Sequence, residues 1–291
     1  MKLDNIFNNK QVFSLEVFPP KKTMPIETIY ETLDELAEIK PDFISVTYGA
    51  GGSENCAATL EIASTIKKKY GIESVAHLPG INLSKEDVLM MLNDFKEHGI
   101  HNILALRGDG NPEMESVGDF NHADELVKFI KEHGDFHVAG ACYPEGHTES
   151  DDLITDIKYL KKKVDAGCDH LISQLFFDND HFYRFRERCE LAGINVPIEA
   201  GIMPVLNKKQ IERMVTMCGA SLPNKFVKMM ARYENNPEAL KDAAIAYAVD
   251  QIVDLISQGV HGIHLYTMNK PDTAKRIYNS IASLLKCCFL N

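Results

Sequence analysis

Apolar residues recur along this chain in two alternating rhythms. Compact runs rich in β-branched and aromatic residues, such as Val12-Phe13-Ser14-Leu15-Glu16-Val17-Phe18, give way to stretches where apolar side chains return every three or four positions, such as Ile26, Ile29, Tyr30, Leu33, Leu36 and Ala37. The first kind suits buried strands and the second amphipathic helices. Strands are expected near 12–18 and at 42–47, 74–78, 102–106, 137–142, 170–175, 198–201 and 262–266. Helices are expected at 25–39, 56–70, 85–98, 122–132, 151–166, 180–192 and 272–285. Pro25 suits a first turn, and Ser84 with Asp87 makes a capping-box signal. Two or three more helices fall between Gly201 and His261. The last opens at Asn236-Pro237, with an apolar face of Ile245, Val249, Ile252, Val253 and Ile256.

Strands that alternate with helices at about the 30-residue spacing of a βαβ unit, with no linker between them, predict an α/β fold. The expectation is one domain over 1–291, a single (β/α)8 TIM barrel with extra helices before the last strand. A doubly wound sheet would carry G-x-G-x-x-G after its first strand, and here that strand ends in Pro19-Pro20.

Composition narrows the function classes. A formal net charge of -11, with no basic block to offset it, argues against nucleic-acid binding. No signal-like or membrane-spanning run is expected. Seven cysteines without CxxC spacing read as reduced cytoplasmic thiols rather than disulfides or a metal site.

In a barrel, chemistry gathers at the C-terminal strand ends. The strands deliver there Glu16, Thr47-Tyr48, His77, Arg107-Gly108-Asp109, Tyr143 with Glu145 and His147, Gln174, and Tyr266 with Thr267 and Asn269. Glu16 interrupts an apolar run. Buried without a partner it would hold its proton and serve as an acid; paired with Lys or Arg, or solvated, it would be ordinary. Gly49-Ala50-Gly51-Gly52 before a helix suits a phosphate cradle or a plain βα turn. His77 alone reads as a structural histidine. Lys158, Lys161 and Lys162 read as a solvated helix face, while Asp156 and Lys163 near the mouth suit an anionic cofactor.

The blocks SLEVFPP, DFISVTYGAGG, AHLPG, ILALRGD, CYPEGH, KKKVDAG, ISQLFFD, GIMPV and HLYTMN, in that order across nearly the whole chain, resemble methylenetetrahydrofolate reductase. The resemblance implies noncovalent FAD. It implies reduction of 5,10-methylenetetrahydrofolate to 5-methyltetrahydrofolate, which supplies methyl groups for methionine synthesis, with NADH preferred over NADPH as electron donor in a ping-pong cycle. A cytoplasmic homo-oligomer, without the C-terminal regulatory domain of the eukaryotic enzymes, is also expected.

By resemblance, FAD contacts fall on Thr47, Tyr48, Ala50, His77, Arg107, Gly108, Asp109, His122, Ala123, Tyr143, His147, Asp156, Lys162 and Lys163. Glu16 looks like the general acid and Asp109 like the acid between flavin and pterin. Gln174, Gln210 and Lys270 look like folate contacts, Lys270 standing where many relatives carry Arg, and Met214 stands where an aromatic platform often occurs. The rival readings are a pterin-binding barrel methyltransferase without flavin and a noncatalytic flavin or folate binder. A yellow protein bleached by NADH, and then turnover, would discriminate among them.

Overall fold

In the computed structural model, which describes residues 2–8, 10–20, 23–48, 53–108 and 119–286, the expected alternation is realised strand by strand. In chain order the elements are β1 (Val12–Val17), α1 (Glu27–Ala37), β2 (Phe43–Val46), α2 (Ser53–Tyr70), β3 (Glu73–Pro79), α3 (Lys85–Glu97), β4 (Asn102–Leu106), α4 (Ala123–His133) and β5 (His137–Cys142). They continue with α5 (Leu153–Asp165), β6 (His170–Ser173), α6 (Asn179–Leu191), β7 (Ile198–Ile202), α7 (Lys208–Cys218), α8 (Asn224–Tyr233), α9 (Pro237–Ser257), β8 (Gly262–Tyr266) and α10 (Pro271–Ile281). All strand pairs are parallel, and β8 closes on β1 with Val12 opposite Gly262 and Glu16 opposite Tyr266. No helix among the described residues is long and apolar enough to cross a membrane.

The period-two alternation of the strands sorts side chains between two cores. Phe13, Leu15 and Val17 of β1 point outward and pack with Ile29, Leu33 and Leu36 of α1 in the large core between sheet and helices. Val12 points inward and joins Phe43, Val75, Leu104, Ala139 and Ile172 in a small core at the barrel floor. Leu3 belongs to the same floor, and its N–H donates to the Asn102 side chain at 3.0 Å.

A third core lies under the extra helices, where Leu175, Phe177, Val205, Ile211, Phe226 and Met230 pack together beside the mouth. Asn236 caps α9 as expected, accepting the Ala239 N–H at 3.1 Å. The expected apolar face of that helix needs correction. Ala244, Ile245, Ala248, Ile252 and Leu255 are the buried stripe, whereas Val253 is exposed. Apolar residues surround α9, so the sheet and neighbouring helices select the face rather than the periodicity.

Candidate active site

Glu16 is the last inward residue of β1, and the far end of the chain holds it there. The Thr267 hydroxyl donates to the Glu16 carbonyl at 2.6 Å. The Asn269 side chain closes a two-bond ring on Phe18, donating to its carbonyl at 2.8 Å and accepting its N–H at 3.2 Å. Met268 and Asn269 take left-handed φ angles of 53° and 51°, which turns the loop back onto β1. Pro19 and Pro20 have no N–H to extend the ladder, so these side-chain bonds finish the strand.

The Glu16 carboxylate is not alone. His77 Nε2 and His264 Nε2 each lie 3.5 Å from its Oε2. The sequence-based choice between a lone acid and a Lys or Arg partner is therefore corrected: the partners are imidazoles. Burial pushes the Glu16 carboxyl up, but the approach of His264 and the charges of both imidazoles outweigh it, leaving the group below its ordinary value. Burial pushes His77 down to about 4 against the attraction of Glu16. In the open site at neutral pH, Glu16 is ionised and His77 is neutral.

On the β4–β6 side of the mouth is a cleft of about 100 Å³ lined by Arg107, Tyr143, His147, Glu149, Gln174 and Met217, among others. Arg107 holds Glu149 with both guanidinium nitrogens, Nη2 donating to Oε1 at 2.7 Å, and this hydrogen bonding lowers the Glu149 carboxyl. The Tyr143 and His147 rings meet edge to face at 4.7 Å. Buried Asp156 fixes their loop by accepting the His147 N–H at 3.2 Å and the Ser150 hydroxyl at 3.0 Å. Gln174 Oε1 accepts the Leu175 N–H at 2.9 Å.

Other expected site residues stand apart from this cleft. Thr47 and Tyr48 follow β2, and the Thr47 carbonyl accepts the Thr59 hydroxyl at 3.1 Å. His122 precedes Ala123 at the start of α4; it stacks on the exposed Tyr159 at 6.4 Å, and Lys162 Nζ lies 5.2 Å from the same ring. Lys163 turns to the outer face of the sheet, where Nζ donates to the Ala141 carbonyl at 2.6 Å. Gln210 accepts the Leu206 N–H at 3.2 Å, and exposed Lys270 precedes α10. Ala50 and Asp109 lie outside the described residues.

Sequence reasoning missed the polar interior below Glu16. Ser14, Glu199 and His264 are fully buried and in contact, with the Ser14 Oγ 2.7 Å from both Glu199 Oε1 and His264 Nδ1. A signal was present, because Ser14 and Glu16 alternate with Phe13, Leu15 and Val17, so both polar residues share the inward face. Tyr266 completes the wall, its hydroxyl donating to the Ser173 carbonyl at 2.8 Å. Gly201 makes room for it: a Cβ there would lie 2.1 Å from that carbonyl oxygen and 2.8 Å from the ring.

Comparison with known proteins gives one consistent picture. Residues 2–282 match the family model described as methylenetetrahydrofolate reductase. The chain is 38% identical over 273 residues to a 5,10-methylenetetrahydrofolate reductase of Pectobacterium carotovorum, covering 92% of this chain and 89% of that one. It is 36% identical to the corresponding Escherichia coli protein, covering 92% and 90%. It is 39% identical to methylenetetrahydrofolate reductase (NADH) 1 of Arabidopsis thaliana, covering 90% of this chain and 47% of the plant protein. Among solved structures, an uncharacterized Clostridium thermocellum protein that binds two copies of 5-methyl-5,6,7,8-tetrahydrofolic acid shares the fold, with TM-score 0.63, 13% identity and coverage of 98% and 99%.

Proposed function

The chain belongs to the methylenetetrahydrofolate reductase family, and from that premise we propose how its barrel mouth carries out the family's reaction. The reaction reduces 5,10-methylenetetrahydrofolate to 5-methyltetrahydrofolate, and the family is flavin-dependent. Our reading is FAD as the flavin, NADH as its reductant, and a cytoplasmic homo-oligomer as the working form. The name of the plant relative supports the choice of NADH.

The residues of the mouth suit a flavin nucleotide. Arg107 offers a planar cation to a diphosphate, its present partner Glu149 being exposed and easily displaced. Gly108 has φ +90°, and a Cβ there would come within 2.9 Å of Pro79 Cβ, so only glycine leaves the strand end bare against a flat ring. His77, Tyr143, His147, Thr47 and Tyr48 would hold the ring system, and Asp156 steadies the His147 loop. His122, Ala123, Lys162 and the Tyr159 ring offer a stacking surface for the far end of the nucleotide. Lys163 joins only by releasing the Ala141 carbonyl. Ala50 and Asp109 retain the roles that the family resemblance gives them. Bound there, the flavin supplies a reversible hydride carrier.

The protein's own work is to bind, orient and protonate. Gln174 and Gln210 hydrogen bond the pterin, and Lys270 attracts the glutamate tail. Folate settling over Glu16 expels water and raises the proton affinity of the carboxyl. Protonated, Glu16 donates to N10 of the substrate, which breaks the C–N10 bond and leaves an iminium that accepts hydride. The observation that carries this reading is an inward carboxylate at the strand end, held between two imidazoles.

Glu16→Gln tests it, because the shape is kept and the transferable proton is lost. In stopped flow, flavin reduction by NADH should stay within roughly tenfold of the unmodified protein, while folate reduction should fall by on the order of 10² or more. Equal losses in both half-reactions, or none, would refute the acid role.

A further inference from the structure

Glu16 is one end of a polar chain that descends through the barrel interior to the opposite face. Its Oε2 faces His264 Nε2 at 3.5 Å; His264 Nδ1 lies 2.7 Å from the Ser14 hydroxyl, which lies 2.7 Å from Glu199 Oε1. Glu199 Oε2 faces His170 Nε2 at 3.5 Å, His170 Nδ1 lies 2.7 Å from His137 Nε2, and His137 Nδ1 lies 2.8 Å from Asp4 Oδ1. Ser14, His264, Glu199 and His170 are fully buried, His137 is 2% exposed, and the Asp4 side chain is 43% exposed. The chain thus steps from the C-terminal end of β1 to the N-terminal ends of β6 and β5, and ends in water.

Donor and acceptor counting gives this chain two arrangements. In one, Glu16 and Glu199 are protonated toward His264 and His170, and every imidazole Nδ1–H and the Ser14 hydroxyl donate toward Asp4. In the other, Asp4 carries the outermost proton and every donor points back toward Glu16. The two hold the same protons. Passing from the second to the first moves one proton along each link, takes one from Asp4 and leaves one on Glu16, with no bond between heavy atoms changed.

His264 Nε2, Glu199 Oε2 and His170 Nε2 make no hydrogen bond to the described residues, and each faces its neighbour across a 3.5 Å link. A proton sitting in each link satisfies both partners. Phe43 and Phe7 pack against the His170 ring at 6.1 and 5.1 Å, and Phe43 against His264 at 6.3 Å, which walls the chain from other groups. The remaining ionisable neighbours are His77 at Glu16, Tyr266 5.2 Å from His264, Asp169 at 3.9 Å from His137, itself paired with Lys131, and Lys2, whose ammonium lies 3.1 Å from Asp4 Oδ2. Against the upward push of burial, His137 and Lys2 hold the Asp4 carboxyl below its ordinary value, so that Asp4 passes protons on from solvent rather than storing one.

We propose that Asp4, His137, His170, Glu199, Ser14 and His264 form a proton relay that loads Glu16 from the N-terminal face of the barrel while flavin and folate cover the mouth. The inference rests on the acid role proposed for Glu16. It removes the need for solvent to enter the covered site in each cycle.

Glu199→Gln tests the relay, since the amide still accepts from Ser14 and donates to His170 but cannot hand on a proton. Folate reduction by the pre-reduced protein should slow about tenfold, with an altered pH profile and solvent isotope effect, whereas flavin content and flavin reduction by NADH stay unchanged. An unchanged folate half-reaction, or a parallel fall in both half-reactions and flavin content, would overturn the relay. Should that variant fail to fold, Asp4→Asn at the exposed end should slow the folate step and recover with rising imidazole buffer; an unaffected step would overturn the proposal. A silent Glu199→Gln beside an impaired Glu16→Gln sinks the relay alone. If Glu16→Gln is also silent, the acid assignment falls with it.

Discussion

The same strands separate two interiors of opposite chemistry. Outside the sheet, Leu33, Phe95, Phe182, Phe185 and Ile252 of the surrounding helices pack with the outward strand residues in an almost wholly apolar jacket. Inside, Ser14, Ser45, His77, His170, Glu199 and His264 occupy space that a barrel usually fills with branched aliphatic residues. The jacket stabilises through transfer of apolar area from water. The lumen gives up part of that gain to keep hydrogen-bonding groups in register below the mouth. Above the apolar floor of the barrel, apolar packing and buried hydrogen bonding are thus assigned to opposite faces of one sheet, and a residue's parity along its strand decides which it serves.

The contrast can be broken from either side. On the jacket side, Phe95→Ala should cost about 3–5 kcal/mol of unfolding free energy with no selective effect on either half-reaction of the surviving folded protein. Urea denaturation and stopped flow on one preparation check this. A selective loss of folate reduction would mean that the two interiors are not separate.

The lumen should reveal itself by pH. His77 has a folded value of about 4 against an ordinary 6.5. Between those values the unfolded chain takes up a proton that the folded chain refuses, so stability is unaffected above pH 6.5 and falls as the pH falls toward 4. The linkage amounts to about 3 kcal/mol for this group. Glu16, lowered from 4.5, adds loss in the same direction only below its ordinary value. Urea midpoints across this range should therefore decline, and His77→Gln should flatten the decline. A flat profile in the unmodified protein would show that the imidazole is not held neutral.

The smallest effect belongs outside both interiors. Lys270 is exposed, and replacing its point charge by the guanidinium fork of Lys270→Arg should tighten folate binding a few-fold and make it less sensitive to salt. Unchanged affinity across a salt series would remove Lys270 from the folate site.

Much of the barrel was legible along the chain because each strand and helix advertises itself locally. The rhythm of 43–46, 102–106 or 262–266 needs no knowledge of distant residues. The position of Glu16 was legible for the same reason, being fixed by its own neighbours and the two prolines. Its partners were not. Ser14 and His264 are 250 positions apart, Ser14 and Glu199 are 185 apart, and only the closing of β1 onto β8 brings them together. The outward turn of Lys163 escaped notice likewise, because a strand carbonyl competes for a cation that family resemblance assigns to a ligand.

The clasp that Thr267 and Asn269 place on Glu16 and Phe18 has a consequence for biogenesis. Glu16 is translated 251 residues before Thr267, whose hydroxyl holds its carbonyl, and Phe18 is translated 251 residues before Asn269. Domains acquire structure from the N-terminal side as synthesis proceeds, but here the seat of Glu16 is completed by β8 and the loop that follows it. A nascent chain stalled anywhere before β8 carries the carboxylate without its clasp or the His264 imidazole. However much of the helical jacket has formed, such a fragment leaves the Glu16 end of β1 unfinished, and this corner of the mouth is assembled only once β8 and the loop after it have emerged.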